Sequence, residues 1–170
     1  LDDPEVIPGN EGLAGCFAGL HNNVYILAGG TAFPEKKPWE DGEKYFSNAI
    51  LVFEKNNEGE FKLIDTSQLS TGVGEGASVS VPGGVLCIGG STTEGLSASV
   101  FLLSWENGQI EKKDFPSLPD PVKSPAAAVI SNHVYLVGGE SNNGETDQFL
   151  QLDLGQLSAG WKILPSFPVP

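Results

Sequence analysis

Glu35, Glu40, Asp41 and Glu43, together with Lys36, Lys37 and Lys44 and the rings of Phe33, Trp39, Tyr45 and Phe46, crowd into the segment from Thr31 to Ser47. Carboxylates accept paired hydroxyls, ammonium groups meet anions, and aromatic faces stack on flat or ring-shaped molecules. The mixture suits a polar, ring-shaped ligand such as a sugar. Glu40, Glu43 and Lys44 are the candidates for holding it, because their positions let them reach the inner side of the loop. An exposed loop with solvated charges, whose rings pack back on the scaffold, accounts for the same residues equally well. Two further carboxylates stand apart from this segment. Glu140 directly follows a glycine pair and begins the same face; Glu75 opens a small-residue run at the start of an inner strand, where a carboxylate could contact substrate or serve in proton transfer. His21 and His133 fall in turn sequences. No Ser/His/Asp arrangement, calcium-loop spacing or Cys/His set is recognisable, so neither a metal nor another cofactor is expected. Cys16 and Cys87 lie inside apolar strands and read as buried free thiols.

The elements that must position these groups repeat. An apolar strand ending in two glycines occurs as NNVYILAGG (22–30), GGVLCIGG (83–90) and NHVYLVGG (132–139). The pairs end at Gly30, Gly90 and Gly139, intervals of 60 and 49 residues. A double-glycine strand at a period of about 50 residues is the signature of kelch-type β-propeller blades. The chain is therefore expected to be all-β, with three four-stranded blades over residues 12–66, 75–115 and 124–167. Turn sequences such as Pro82-Gly83-Gly84 and Glu106-Asn107-Gly108 separate the strands, and no helical periodicity is present. Fourth strands are expected to end in pairs such as Phe115-Pro116, Leu164-Pro165 and Phe167-Pro168, since proline withholds a donor at an outer edge. The runs Ala14-Gly15, Gly74 to Ala77 and Ala126 to Ala128 fit innermost strands, where neighbouring blades crowd the channel. A four-strand meander sends its 2–3 loops and its interblade connections to one face. Residues 31–47, Glu75 and Glu140 are all expected there.

Twenty-two acidic residues against nine basic ones give a net charge of −13, and all nine bases are lysine. Such a surface repels nucleic-acid phosphates and anionic lipid, so neither is an expected partner. No run is apolar enough to be a membrane-spanning helix. The chain begins at Leu1 and lacks methionine, so its first residue is expected to come from processing or design. Blades bury their faces against one another. A three-blade arc leaves two end faces uncovered, to be met by a missing propeller half or by a second copy of the chain.

The first blade carries a more specific pattern. GLAGCFAGLHNNVYILAGGTAFPEKKPWEDGEKYFSNAILVFEK resembles the GxAGxFAG–AGGxxFP–PWEgGxK segment of the sialic-acid mutarotases, the N-acetylneuraminate epimerase family, and in particular its cyclically permuted branch. GASVSVPGGVLCIGG in the second blade is similar to that branch as well. The resemblance implies a six-bladed ring of which this chain is the N-terminal half, export to the periplasm or beyond the cell, and a small-molecule sugar substrate. It implies anomer interconversion of N-acetylneuraminate or a related sugar by acid–base ring opening, without a cofactor. Glu140, in GGESNNGETD (138–147), is a partial match, in a different blade and with no arginine following it, to the catalytic glutamate of the family's Gly-Glu…Arg-Thr-Asp stretch. The resemblance makes it the candidate for proton transfer. The alternative is a kelch module that binds a protein or glycan without catalysis.

Overall fold

The structure, a computed structural model, describes residues 12–166. Its strands fall into three successive groups. The first comprises β1 (Phe17–His21), β2 (Val24–Ala28), β3 (Thr31–Ala32), β4 (Tyr45–Phe46), β5 (Ala49–Lys55) and β6 (Phe61–Gln68). The second comprises β7 (Ala77–Val81), β8 (Gly84–Ile88), β9 (Ser91–Thr92), β10 (Gly95–Leu96), β11 (Val100–Glu106) and β12 (Gln109–Asp114). The third comprises β13 (Ala126–Ile130), β14 (His133–Val137), β15 (Glu140–Ser141), β16 (Gly144–Glu145), β17 (Phe149–Asp153) and β18 (Trp161–Leu164). Each group makes one four-stranded antiparallel meander, in the orders β1-β2-β5-β6, β7-β8-β11-β12 and β13-β14-β17-β18. The sheets are the three blades of a kelch-type propeller arc.

Burial along the equivalent second strands explains the order of the blades. In β2 and β14 buried residues alternate with partly exposed ones, whereas every residue of β8 is buried. Among the described residues, only the middle sheet is covered on both faces. Phe17, Ile26, Ile50 and Val52 meet Val85, Cys87 and Leu103 between the first two blades. Leu86, Ile88 and Leu102 meet Val134, Leu136, Leu150 and Leu152 between the second and third. The outer face of the first blade is left with a nearly apolar hollow of about 350 Å³, lined by Tyr25, Leu27, Phe53 and Phe61. On the third blade the rings of Tyr135 and Phe149 meet at a tilt of 38° with centroids 5.9 Å apart, and Ile130 and Ile163 are exposed.

The first two glycine pairs lock their blades to the next one along the chain. Gly29 and Gly89 have φ of 66° and 65°, in the left-handed region that a side chain disfavours. A Cβ would come within 2.1 Å of the Val73 carbonyl oxygen at Gly29 and 2.5 Å of that of Val122 at Gly89. The second glycine of each pair donates to those carbonyls, Gly30 N to Val73 O and Gly90 N to Val122 O, both at 2.8 Å.

Three local features differ from the sequence expectation. β1 begins at Phe17 rather than Gly12, because Gly15 turns the chain at a φ of 62°. Each 2–3 loop begins and ends in a two-residue ladder, β3 with β4, β9 with β10 and β15 with β16. The described residues also include two 3₁₀ turns, Pro38–Glu40 and Leu157–Ala159. The Phe167-Pro168 pair lies outside the described residues, as does the end of the third blade at 167.

Candidate functional site

At one end of the arc the chain enters each innermost strand through the same left-handed turn. Gly15, Glu75 and Ser124 hold it at φ of 62°, 63° and 52°. Glu75 N donates to Gly15 O at 2.8 Å and Ser124 N to Glu75 O at 2.6 Å, so the three turns form one chain of hydrogen bonds across the blades. The residue before each turn bridges the residue after a glycine pair, in Ala14 with Thr31, Gly74 with Ser91 and Lys123 with Glu140. Ser91 and Glu140 therefore occupy the same place in neighbouring blades.

Glu75 is the middle of the cluster. Its Oε1 accepts from Lys44 Nζ at 2.6 Å and its Oε2 from Ser91 Oγ at 2.5 Å. Beside it, Lys123 Nζ lies 3.1 Å from Glu140 Oε2. Burial alone pushes the Glu75 carboxyl up. The hydrogen bonds from Lys44 and Ser91, with the charges of Lys44 and Lys123, outweigh it and hold the group below the usual glutamate range. Glu75 is consequently an anion and a hydrogen-bond acceptor at neutral pH, not a proton donor. Its left-handed backbone is uncommon for a side chain of that length, and clusters of such residues are found where geometry serves a site.

The long insertion supplies Lys44. In the second and third blades two residues separate the ladder strands, whereas in the first the chain runs from Phe33 to Lys44 between β3 and β4. Gly42 lets that loop cross itself, since a Cβ there would stand 2.0 Å from Lys36 O. Glu40 accepts from Lys37 N at 3.1 Å and is occupied with capping the 3₁₀ turn. Glu43 is exposed and lines a cleft of about 400 Å³ with Glu35, Lys36, Asp41, Lys44 and Tyr45. Of the residues singled out from the sequence, Lys44, Glu75 and Glu140 thus come together, Glu43 lies in the adjoining cleft, and Glu40 turns to its own loop. Ser91 and Lys123 were missed. Aligning the repeats would have found both, since Ser91 follows its glycine pair as Glu140 does, and Lys123 precedes its turn as Gly74 does. Among the described residues, no three His, Cys, Asp or Glu side chains gather as a metal site would.

This arrangement can accept sugar hydroxyls on carboxylates, meet an anion on lysine, and move a proton at the half-exposed Glu140. The class of protein defined by fold and mouth is a kelch-type propeller with a polar, charge-paired opening. The solved structure of YjhT superposes on 93% of this chain and 53% of its own with a TM-score of 0.72, at 13% identity. In sequence the chain is a relative of the N-acetylneuraminate epimerases. It is 33% identical to the protein of that name from Vibrio vulnificus (strain YJ016), over 61% of this chain and 28% of the relative. It is 32% identical to that from Vibrio cholerae serotype O1, over 67% and 31%, and 34% identical to that from Yersinia pestis, over 59% and 27%. The matched region spans less than a third of these relatives. No family model matches the chain.

Proposed function

We propose that the protein interconverts the anomers of N-acetylneuraminate or a related acidic sugar. One observation carries this reading. Two lysine–carboxylate pairs, Lys44 with Glu75 and Lys123 with Glu140, converge from three blades beside a cleft edged with carboxylates and an aromatic ring. In the reaction a base takes the proton of the anomeric hydroxyl while an acid protonates the ring oxygen, and the bond between that oxygen and the anomeric carbon breaks. The resulting carbonyl turns its other face and the steps reverse. Glu140 is the base in this scheme, and Lys123, whose ammonium it touches, is the nearest acid. The names of the sequence relatives support the sugar class. The same reading gives the open flanks of the arc to a further propeller half or a second copy, and places the protein in the periplasm or outside the cell.

A non-catalytic module that binds glycan or protein is favoured by one feature, Trp39, which stands 80% exposed on the loop. Exchange NMR of anomer interconversion by the intact protein separates the two readings. The enzyme reading expects acceleration that falls by about 100-fold or more in E140Q, the usual weight of a general base. Wild-type protein that binds the sugar without accelerating exchange would leave only the module.

A further inference from the structure

We propose that Lys44 is the residue that selects for the acidic group of the sugar, and that Glu75 is an internal competitor which the ligand's carboxylate must displace. This rests on the acidic-sugar reading and adds to it a division of labour between two residues that would otherwise both count as ligand contacts.

The two partners depend on each other unequally. Lys44 is partly exposed, sits at the end of the insertion, and meets Glu75 through one ammonium contact at 2.6 Å. Its other neighbour is the Phe46 ring, 5.9 Å away. Glu75 keeps the Ser91 hydroxyl and the field of Lys123 when Lys44 departs. It is anchored through its own backbone to Gly15 and Ser124. Lys44 can therefore swing on its flexible stem without leaving a stranded carboxylate. It also lines the cleft of about 400 Å³ on the loop side together with Lys36, where Glu35, Asp41 and Glu43 would repel an incoming anion; of the two lysines it is the one that also reaches Glu75. An anion entering there gains from a cation that can leave its partner, and a lysine on a flexible stem meets it as a mobile point charge. A part-exposed lysine pair exchanges partners readily, because its net stabilisation in water is small.

Calorimetric titration of the intact protein with N-acetylneuraminate and with its uncharged methyl ester tests the idea. E75Q removes the competitor and is expected to bind the acid roughly three- to tenfold more tightly, the scale of one part-exposed ion pair, with the ester unchanged. K44Q is expected to weaken the acid by a similar factor, again sparing the ester. Adding Glu75→Gln to K44Q should then bring no further gain. A purely structural ion pair would instead move acid and ester together, and a Glu75 that contacts substrate directly would make E75Q bind more weakly; either result overturns the proposal. Should E75Q not fold, Glu75→Asp, one methylene too short to hold both Lys44 and Ser91, should show the same gain in smaller measure, and its absence counts equally against. Failure of wild type and variants to bind either sugar would sink the acidic-sugar reading with it. Normal binding and interconversion with an unmoved acid affinity in E75Q would sink the competitor alone.

Discussion

The two seams of the arc join equivalent surfaces by different means. Between the first and second blades the ring of Phe17 lies over Gly76, where a Cβ would fall 2.4 Å from Phe17 Cε1, and meets Phe101 edge-on at 5.7 Å. The inner edge of β1 is closed by hydroxyls: Ser78 Oγ accepts from Ala18 N and Ser80 Oγ from Leu20 N, both at 2.9 Å. His21 Nδ1 and the Asn22 amide then tie to the backbone of Trp105. Between the second and third blades the places of Phe17, Gly76, Ser78 and Ser80 are taken by Ala77, Pro125, Ala127 and Val129. There the closure is aliphatic, and Trp161 Nε1 donates to Pro116 O at 2.8 Å. Bulk that the earlier blade supplies at the first seam, through Phe17, is supplied by the later blade at the second, through Pro125 and Val129. A repeated scaffold thus leaves open which strand fills each junction.

Exchanging that bulk is the strongest way to break the comparison. Phe17 faces Ala28 across the ladder, and Ala77 faces Ile88, so large and small are reversed between blades. Phe17→Ala is expected to cost about 3–5 kcal/mol in denaturant unfolding, as deletion of a buried aromatic does. Adding Ala28→Ile, which copies the second blade, should recover a measurable part. A double variant no more stable than the single one would mean the seams are not interchangeable.

The glycine pairs sharpen the comparison by isolating the contribution of the neighbouring blade. Gly89→Ala drives a methyl into the Val122 carbonyl, whereas at Gly138 the nearest atom to such a methyl is Thr146 O at 3.6 Å. Both glycines are left-handed. The expected loss is about 1–2 kcal/mol for Gly138→Ala from the backbone alone, and about 3 kcal/mol or more for Gly89→Ala, where a backbone clash is added. Equal losses, measured by thermal melting, would show that the interblade carbonyl yields and is not the source of the constraint.

The smallest expected effect is at the mouth, where Lys44–Glu75 spans the first seam and Lys123–Glu140 pairs within the third blade beside the second. Glu75 titrates below the ordinary range in the fold, so the unfolded chain takes up that proton first as pH falls. Its stabilising contribution is whole above the ordinary glutamate range, near pH 4.3, and is lost as pH falls through the lowered value. Melting curves of wild type and E75Q are thus expected to differ at neutral pH and to converge in acid. A constant gap across the pH range would mean that Glu75 acts through shape and not charge.

The sequence by itself determined the repeat. Three apolar strands ending in glycine pairs mark a propeller blade each, because alternation sets the strand period and, at Gly29 and Gly89, only glycine tolerates both the left-handed φ and the carbonyl packed against it. It also placed Lys44, Glu75 and Glu140 on one face, since loop parity in a four-strand meander depends on strand count alone. What it left open was decided by packing. Glu40 and Glu43 read alike along the chain, yet the 3₁₀ turn after Pro38 bends the first back onto Lys37 and leaves the second in the cleft. Ser91 and Lys123 carry no chemistry as isolated letters. They become site residues because blades separated by dozens of residues stack at their inner edges, and a carboxylate there is charged or neutral according to the neighbours that stacking brings.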